Sequence, residues 1–193
     1  MSKAAVSERL SARERLLEAA GELFYEEGVN TVGIDRVIER AGVAKASLYN
    51  TFGSKDELIR AYLRAQHEAR QARVQAHLAK HQDARARVLG VFDSMRENAL
   101  RPGFRGCAFL RASAELKAGS AVKSVCDASR GWLRGLFAQL ATEAGAADAD
   151  ALAAQLVLLY DGAAVAAQMD ADATAAERAR ALAAQLLDAA IAA

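Results

Sequence analysis

Hydrogen-bond donors recur at close spacing within the first sixty residues of the chain. Lys45 and Lys55 carry ammonium groups, Tyr49 carries a phenolic hydroxyl, and Asn50 and Thr51 carry an amide and a hydroxyl. Such groups bind phosphate oxygens, and lysine and asparagine also match the edges of guanine and adenine in the major groove. This segment therefore has the chemistry of a DNA contact, provided that one helix presents these side chains on its outer side.

Two other groups of residues offer different chemistry. Cys107 follows Arg105 at the predicted start of a helix, where the helix N-terminus and the guanidinium would favour a reactive thiolate. The alternative is an inert, buried cysteine. His77 and His81 stand four residues apart, but no third ligand is within reach, so we expect solvent-exposed histidines and no metal. The sequence also has no glycine-rich phosphate loop and no Ser/His/Asp or Cys/His arrangement that its spacing supports, so we expect neither an enzyme nor a cofactor.

The elements that must position these groups are helices. A Ser or Thr followed three residues later by Glu forms a capping box at Ser11, Ser54 and Thr174, and each box precedes an amphipathic run. Apolar spacing then predicts nine helices and no strand, at about 12–27, 34–40, 44–51, 55–80, 83–100, 106–117, from a Gly119–Ser120 turn to 144, 151–169 and 175–192. The fold class is therefore all-α.

The second and third predicted helices form a helix-turn-helix. They are short, a turn containing Gly42 separates them, and Leu48 and Phe52 face inward from the third. In such a unit the second helix of the pair enters the major groove. The spacing alone is also typical of a helical hairpin without DNA-binding function.

Composition sets limits on the partners. The chain is 53% hydrophobic and 25% charged, which is typical of a folded domain. Residues 1–60 hold nine Lys/Arg against ten Asp/Glu, residues 61–117 hold eleven against five, and residues 118–193 hold five against nine. A DNA contact must therefore depend on a few placed cations rather than on bulk charge. We expect no membrane span, and the two cysteines fit a reducing cytoplasm.

Three stretches of the N-terminal region closely resemble the DNA-binding domain of the tetracycline-repressor (TetR) family. They are Leu16–Phe24 (LLEAAGELF) followed by Gly28, Arg36–Phe52 (RVIERAGVAKASLYNTF) and Ser54–Leu58 (SKDEL). The resemblance covers about residues 13–62, and its motifs are specific. Residues 106–115 and 155–163 also resemble segments of some members, less closely.

The resemblance implies a helix-turn-helix domain at 1–60 and a ligand-binding and dimerisation domain at 61–193. It further implies a homodimer that binds a palindromic operator on double-stranded DNA and is released by a small-molecule inducer. Two departures stand out, because family members commonly carry Thr at the position of Gly33 and Ser at that of Ala44. The expected DNA contacts are Thr31, Gly33, Arg36, Ala44, Lys45, Ser47, Tyr49, Asn50, Thr51 and Lys55.

The remaining residues supply candidates for the regulatory part. Apolar and aromatic side chains at helical spacing predict a largely apolar inducer, although each of them is also a typical core residue. The candidate ligand-binding residues are Phe92, Met95, Phe104, Cys107, Leu110, Trp132, Leu136, Phe137 and Tyr160. The candidate dimer contacts are Leu152, Leu156, Leu159, Ala163 and Ala166 on the eighth helix, and Leu182, Leu186 and Ala190 on the ninth.

Two alternatives to an inducer-controlled repressor stay open at this point. On the same DNA-binding scaffold, Cys107 would sense an electrophile or an oxidant. In a different class, the chain would be a helical adaptor that never binds DNA, and its interaction with a duplex would then show no salt dependence.

Overall fold

A computed structural model describes residues 10–116 and 120–192, and within these ranges the chain forms nine helices and no strand. The helices are α1 (Ala12–Glu27), α2 (Ile34–Ala41), α3 (Lys45–Phe52), α4 (Lys55–Leu78), α5 (Ala84–Ala99), α6 (Ala108–Glu115), α7 (Lys123–Glu143), α8 (Ala149–Met169) and α9 (Ala175–Ala192). The all-α fold class predicted from the sequence is thus confirmed.

The described chain divides into two compact units. The first contains residues up to 66 together with the described part of 108–127, and the second contains residues 67–107 and 128 onward. The long helices α4 and α7 each contribute residues to both units. The sequence predicts a division by function, with DNA binding in residues 1–60 and ligand binding and dimerisation in residues 61–193. This division does not coincide with the two compact units, and it stays a prediction.

Helix α1 shows how local sequence sets the start and the end of an element. The Ser11 hydroxyl accepts a hydrogen bond from the Glu14 amide at 3.2 Å, and the Glu14 carboxylate accepts one from the Ser11 amide at 2.8 Å. The Ser11 hydroxyl also donates to the Glu14 carboxylate at 2.7 Å, and this bond together with that from the Ser11 amide holds the pKa of Glu14 below its ordinary value. The helix ends at Gly28, whose φ of 100° is accessible to glycine at little cost.

In the second unit, a core of aliphatic and aromatic side chains from five helices holds the elements together. Helix α9 packs against α8 and α5, and α5 also packs against α8. Asp83 and Asp148 cap α5 and α8, since their carboxylates accept hydrogen bonds from the Ala86 and Ala151 amides at 2.8 and 2.9 Å. The cap at Asp148 starts α8 two residues earlier than predicted.

Two predicted helix boundaries were wrong for identifiable reasons. Helix α4 ends at Leu78 rather than near Lys80, because the Lys80 and His81 amides turn back to the carbonyl groups of His77 and Leu78, each at 3.1 Å. Helix α6 begins at Ala108 rather than Gly106, because Gly106 has a φ of 86°. The predicted end of this helix at Lys117 and the predicted turn at Gly119 lie outside the described residues.

The expectation that His77 is solvent-exposed was also wrong. Its side chain is buried, and its Nε2 lies 2.7 Å from Glu97 Oε2. This contact, a hydrogen bond whose direction depends on the tautomer, holds the pKa of Glu97 below its ordinary value. The His77 ring is thereby engaged with a carboxylate.

Among the described helices, α8 is long and apolar enough by length and composition to cross a membrane. Leu152, Leu156 and Tyr160 of this helix are buried in the core of the second unit. A helix that packs in a protein core passes the same test, so α8 gives only weak evidence for a span.

Candidate nucleic-acid interface

Helices α2 and α3 form a compact pair joined by Gly42, Val43 and Ala44. Gly42 adopts the left-handed conformation, with φ 61° and ψ 44°, which lets its amide and that of Val43 bond to the last carbonyl groups of α2. From α1, the Arg15 guanidinium donates to the Gly42 carbonyl at 3.1 Å. Leu48 is fully buried, so it fixes which side of α3 faces outward.

The outward side of α3 presents most of the predicted DNA contacts. Tyr49 is 45% exposed, and Ala44, Lys45 and Asn50 are exposed as well. The Thr51 hydroxyl donates to the Ser47 carbonyl at 2.6 Å, so this hydroxyl is engaged on its own helix and is less available to DNA. The surface thus combines small residues, which allow close approach, with a few long donors.

The cations near α3 are paired with carboxylates. Lys45 Nζ lies 2.9 Å from Asp35 Oδ1, and this ion pair raises the pKa of Lys45 above its ordinary value. Arg36 donates to both carboxylate oxygens of Glu27, at 2.5 and 2.8 Å, which lowers the pKa of Glu27. A phosphate group would therefore have to compete with Asp35 for Lys45 and with Glu27 for Arg36.

Two of the predicted DNA-contact positions lack the hydroxyl group that family members commonly carry there. Gly33 and Ala44 occupy the N-cap positions of α2 and α3, and neither provides a side-chain hydrogen bond to its helix. Thr31 is exposed near the start of α2. Lys55, in the first turn of α4, reaches back to the Asn30 carbonyl at 3.4 Å.

Helix α6 contributes two charged residues, Arg111 and Glu115, to this unit. The Arg111 guanidinium donates to the Tyr25 carbonyl at 2.6 Å, and it also lies 5.9 Å from the Tyr25 ring. The Glu115 carboxylate accepts a hydrogen bond from the Asn30 amide at 2.8 Å. These contacts join residues about 85 positions apart, so no local pattern could have indicated them.

The approach of Glu115 also explains why Gly28 is small. A Cβ atom at position 28 would come 2.6 Å from Glu115 Oε1. The backbone conformation therefore favours glycine, and a Cβ atom would in addition displace the carboxylate end of the Glu115 side chain. Glu115 and the segment from Gly28 to Asn30, which we call the α6 clamp, fix the loop that leads into α2.

The predicted ligand-binding residues fall into two groups. Phe92, Phe137 and Tyr160 form an aromatic cluster with ring centroids 5.7 to 6.3 Å apart in the core of the second unit. Met95 and Leu136 are buried in the same core, and Trp132 packs at its edge. Phe104 and Cys107 are half-buried, whereas Leu110 belongs to the first unit and is 51% exposed.

Beside the aromatic cluster lies a group of polar residues that sequence reasoning missed. Arg70 donates to Ser129 Oγ at 3.3 Å and to Cys107 Sγ at 3.5 Å, and its guanidinium lies 6.0 Å from the centre of the Tyr160 ring. His67 contacts the same serine hydroxyl at 3.2 Å. A signal for this group was present in the sequence. His67 and Arg70 lie between the buried Leu63 and Val74 at spacings of four, three and four residues, so they share the buried face of α4.

The predicted dimer contacts also divide by burial. Leu152, Leu156 and Ala163 are buried within the chain, so they are not available to a second copy. The others are half-buried or exposed; they are Leu159, Ala166, Leu182, Leu186 and Ala190. On α8 the exposed side carries a stripe of Leu158, Gly162, Val165 and Met169 at spacings of four, three and four residues, which we call the α8 outer stripe.

Comparison with known sequences matches the helix-turn-helix region. The family model described as bacterial regulatory proteins, tetR family, matches residues 16–62. The HTH-type transcriptional activator FasR of Mycolicibacterium smegmatis is 47% identical over 51 residues, and the regulator SrpR of Pseudomonas putida is 32% identical over 63. These alignments span 26% and 33% of this chain but only 23% and 30% of the relatives' lengths.

Comparison with solved structures extends the match to nearly the whole chain. A TetR-family transcriptional regulator from Streptomyces coelicolor is 35% identical with a TM-score of 0.88, and the match covers 93% of this chain and 96% of that one. A putative TetR-type regulator from Streptomyces avermitilis is 36% identical with a TM-score of 0.78, covering 94% and 98%. With the helix-turn-helix geometry described above, these matches show that the chain belongs to the TetR family of DNA-binding transcriptional regulators.

Proposed function

We propose that this regulator is a homodimeric repressor that binds a palindromic operator in the cytoplasm and is released by a small, largely apolar inducer. Residues 1–60 would bind DNA, and residues 61–193 would bind the inducer and form the dimer. The observation that carries the proposal is the outward surface of α3, where Lys45, Tyr49 and Asn50 are exposed around one buried anchor, Leu48. The related FasR is named an activator, so repression is the part of the proposal that needs its own test.

Binding to the DNA upstream of the chain's own gene tests the DNA-binding part. Affinity for a duplex that contacts several phosphates falls steeply as salt rises, because bound counterions are released. We expect retention at about 50 mM salt and marked loss at about 200 mM. A reporter driven by the same promoter separates repression from activation, since deleting a repressor raises expression. Failure to retain any genomic fragment at low salt would overturn the proposal.

The α8 outer stripe supports the dimer. Leu158 is 69% exposed and Leu182 of α9 is 48% exposed, and a second copy would remove this apolar surface from water. A two-fold dimer would also double the contacts of a short recognition helix. We expect Leu158→Glu to convert a dimer into a monomer in analytical ultracentrifugation. Leu100→Glu, at an exposed position that ends α5, is the matched control and should stay dimeric.

The aromatic cluster and its edge support the largely apolar inducer. Phe92, Phe137 and Tyr160 form a buried aromatic cluster, and Trp132 is half-buried at its edge. A compound that binds there should raise the melting temperature, because it binds the folded state. It should also release DNA from wild type. Compounds that raise the melting temperature without releasing operator DNA would contradict induction.

A second candidate function is favoured by the contact between Arg70 and Cys107. The Arg70 guanidinium donates a hydrogen bond to Cys107 Sγ at 3.5 Å, and the Cys107 side chain is half-buried rather than enclosed in the core. An unsaturated carbonyl compound would then alkylate the sulfur and release DNA. Cys107→Ser should resist this treatment, whereas Cys126→Ser, at a buried cysteine, should respond like wild type. Equal release from Cys107→Ser and wild type would refute thiol sensing.

A further inference from the structure

Two of the predicted DNA-contacting cations are held by carboxylates of the same unit. Lys45 Nζ lies 2.9 Å from Asp35 Oδ1, and Arg36 donates to both carboxylate oxygens of Glu27. All four side chains reach solvent, and Asp35 is 82% exposed. Because an exposed ion pair contributes little energy, either cation can exchange its carboxylate for a group on the DNA.

Asp35 keeps a negative charge at this surface when Lys45 leaves it. It lies in the first turn of α2, where the helix N-terminus favours an anion. Within the part of the chain that the structure describes, its one ion pair is with Lys45. The freed carboxylate therefore needs a cation from solvent, and it lies within the reach of a lysine from the DNA that Lys45 would bind.

Lys55 provides a comparison within the same unit. Its ammonium group donates to the Asn30 carbonyl at 3.4 Å, and it forms no ion pair with any residue that the structure describes. Such a lysine brings a full positive charge to a duplex, and a condensed counterion is released when it binds a phosphate. Lys45 together with Asp35 brings no net charge, because a cation taken up by the carboxylate offsets the one released from the DNA.

We propose that Asp35 and Glu27 are affinity-determining residues, which compete with DNA for Lys45 and Arg36, lower the affinity for every duplex and flatten its salt dependence. The inference rests on the proposed function, in which these two cations bind DNA. Each exchange of partners leaves the number of bound solvent cations nearly unchanged, so the paired cations add little to the salt dependence. Phosphate contacts carry no sequence information, so the competition affects a scrambled duplex as well as the operator.

Salt titrations of DNA binding test this inference. The full-length protein is titrated onto a duplex from the DNA upstream of its own gene and onto a scrambled duplex, at about 50 to 300 mM salt. Asp35→Asn should raise the affinity of the dimer for both duplexes roughly twofold to twentyfold, because each subunit loses one weak competitor. The slope of log affinity against log salt should steepen by about one to two, since each freed lysine now releases a counterion. Glu27→Gln should act in the same direction through Arg36.

Glu22→Gln is the matched control, because it breaks an ion pair of the same kind and changes the net charge by the same amount. Arg40 Nη2 lies 3.0 Å from Glu22 Oε2, and the two side chains are about as exposed as those of Arg36 and Glu27. Arg40 lies one helical turn beyond Arg36, further from the N-terminus of α2, and it is not among the predicted DNA contacts. Glu22→Gln should therefore leave both the affinity and the salt slope close to those of wild type.

A double variant shows whether Asp35 acts through Lys45. In the Lys45→Ala protein, Asp35→Asn should add little to the affinity, because no ammonium group remains to be released. If the gain persisted in full there, or if Glu22→Gln produced the same gain, the carboxylates would act through net charge alone. Either result would overturn the inference.

The outcomes also separate this inference from the proposed function. If Lys45→Ala weakens binding but Asp35→Asn changes neither the affinity nor the salt slope, the proposed DNA contact stands and the competition is refuted. If Lys45→Ala leaves binding unchanged, Lys45 does not contact DNA, and the contact and the competition for Lys45 are both refuted.

Discussion

Cations in the two units differ in what surrounds them. On the first unit, Lys45 and Arg36 are exposed and each pairs with a carboxylate, from Asp35 and Glu27. In the second unit, Arg73 is half-buried and has no ion pair among the described residues. A paired surface cation costs the fold nothing and exchanges its partner readily, which suits reversible binding to phosphates. A half-buried cation without a partner costs stability, so its removal should stabilise the fold.

The largest effect that we predict concerns Lys45, which would leave Asp35 and bind DNA instead. Lys45→Ala should weaken operator binding about tenfold to a hundredfold and relax the sequence preference, because a base or phosphate contact is lost in each half-site. Lys55→Ala should weaken binding to all sequences and leave the preference intact. Fluorescence anisotropy with operator and scrambled duplexes measures both. Unchanged binding in both variants would show that α3 does not contact DNA as proposed.

A substitution in the α6 clamp tests whether a charged side chain of the first unit stabilises its fold. Glu115→Ala should destabilise this unit by about 1–2 kcal/mol, since the Asn30 amide loses its acceptor. Operator affinity should fall as well, because the loop leading into α2 loosens. Urea denaturation and anisotropy provide the two readouts. Glu68→Ala, at an exposed glutamate of α4, is the control that should leave both unchanged. A stable Glu115→Ala protein would mean that the clamp carries little energy.

In the second unit we expect a substitution of a charged residue to stabilise the fold rather than destabilise it. Arg73→Met should raise the stability of the ligand-free protein by about 0.5–1 kcal/mol, because it removes a desolvated charge next to Arg70 and Arg101. Partial solvent screening keeps the gain small. Thermal melts without ligand measure it. A clear loss of stability would show that Arg73 is compensated within the protein, and the contrast between the two units would disappear.

The smallest effect is the pH dependence of a surface pair. Arg36 holds the pKa of Glu27 below its ordinary value of 4.5. A depressed pKa stabilises the fold above the unfolded-state pKa, and this contribution disappears as the pH falls through the lower folded-state value. Glu27→Gln should therefore be slightly less stable than wild type at pH 7, and this difference should shrink as the pH falls below 4.5 and vanish below the folded-state pKa of Glu27. A stability difference that does not change with pH would mean that the pair contributes nothing through charge.

The sequence predicted the features that local chemistry controls. The bounds of α1 follow from the Ser11 capping box and from Gly28, and the α2–α3 pair follows from Gly42 and the inward Leu48. Both signals act within one or two turns of helix. The family match then supplied the function of the pair, which spacing alone left ambiguous.

The features that the sequence did not predict depend on residues far apart in the chain. Arg111 contacts Tyr25 across 86 positions, and His77 is buried against Glu97 across 20. Arg70 and His67 converge on Ser129, which belongs to a different helix. Side-chain periodicity shows which face of a helix is buried, but it does not show which partner covers that face.

The single buried residue of α3 has a consequence for how this protein could change over evolution. Only Leu48 of this eight-residue helix is buried, and glycines at positions 42 and 53 delimit the helix from outside. Five of its other positions are exposed and can therefore vary with little effect on folding, whereas Ser47 and Phe52 are half-buried. Duplicated copies of the gene could acquire new target sequences through substitutions on this surface alone, and a designer could rewrite the helix in the same way without repacking the unit.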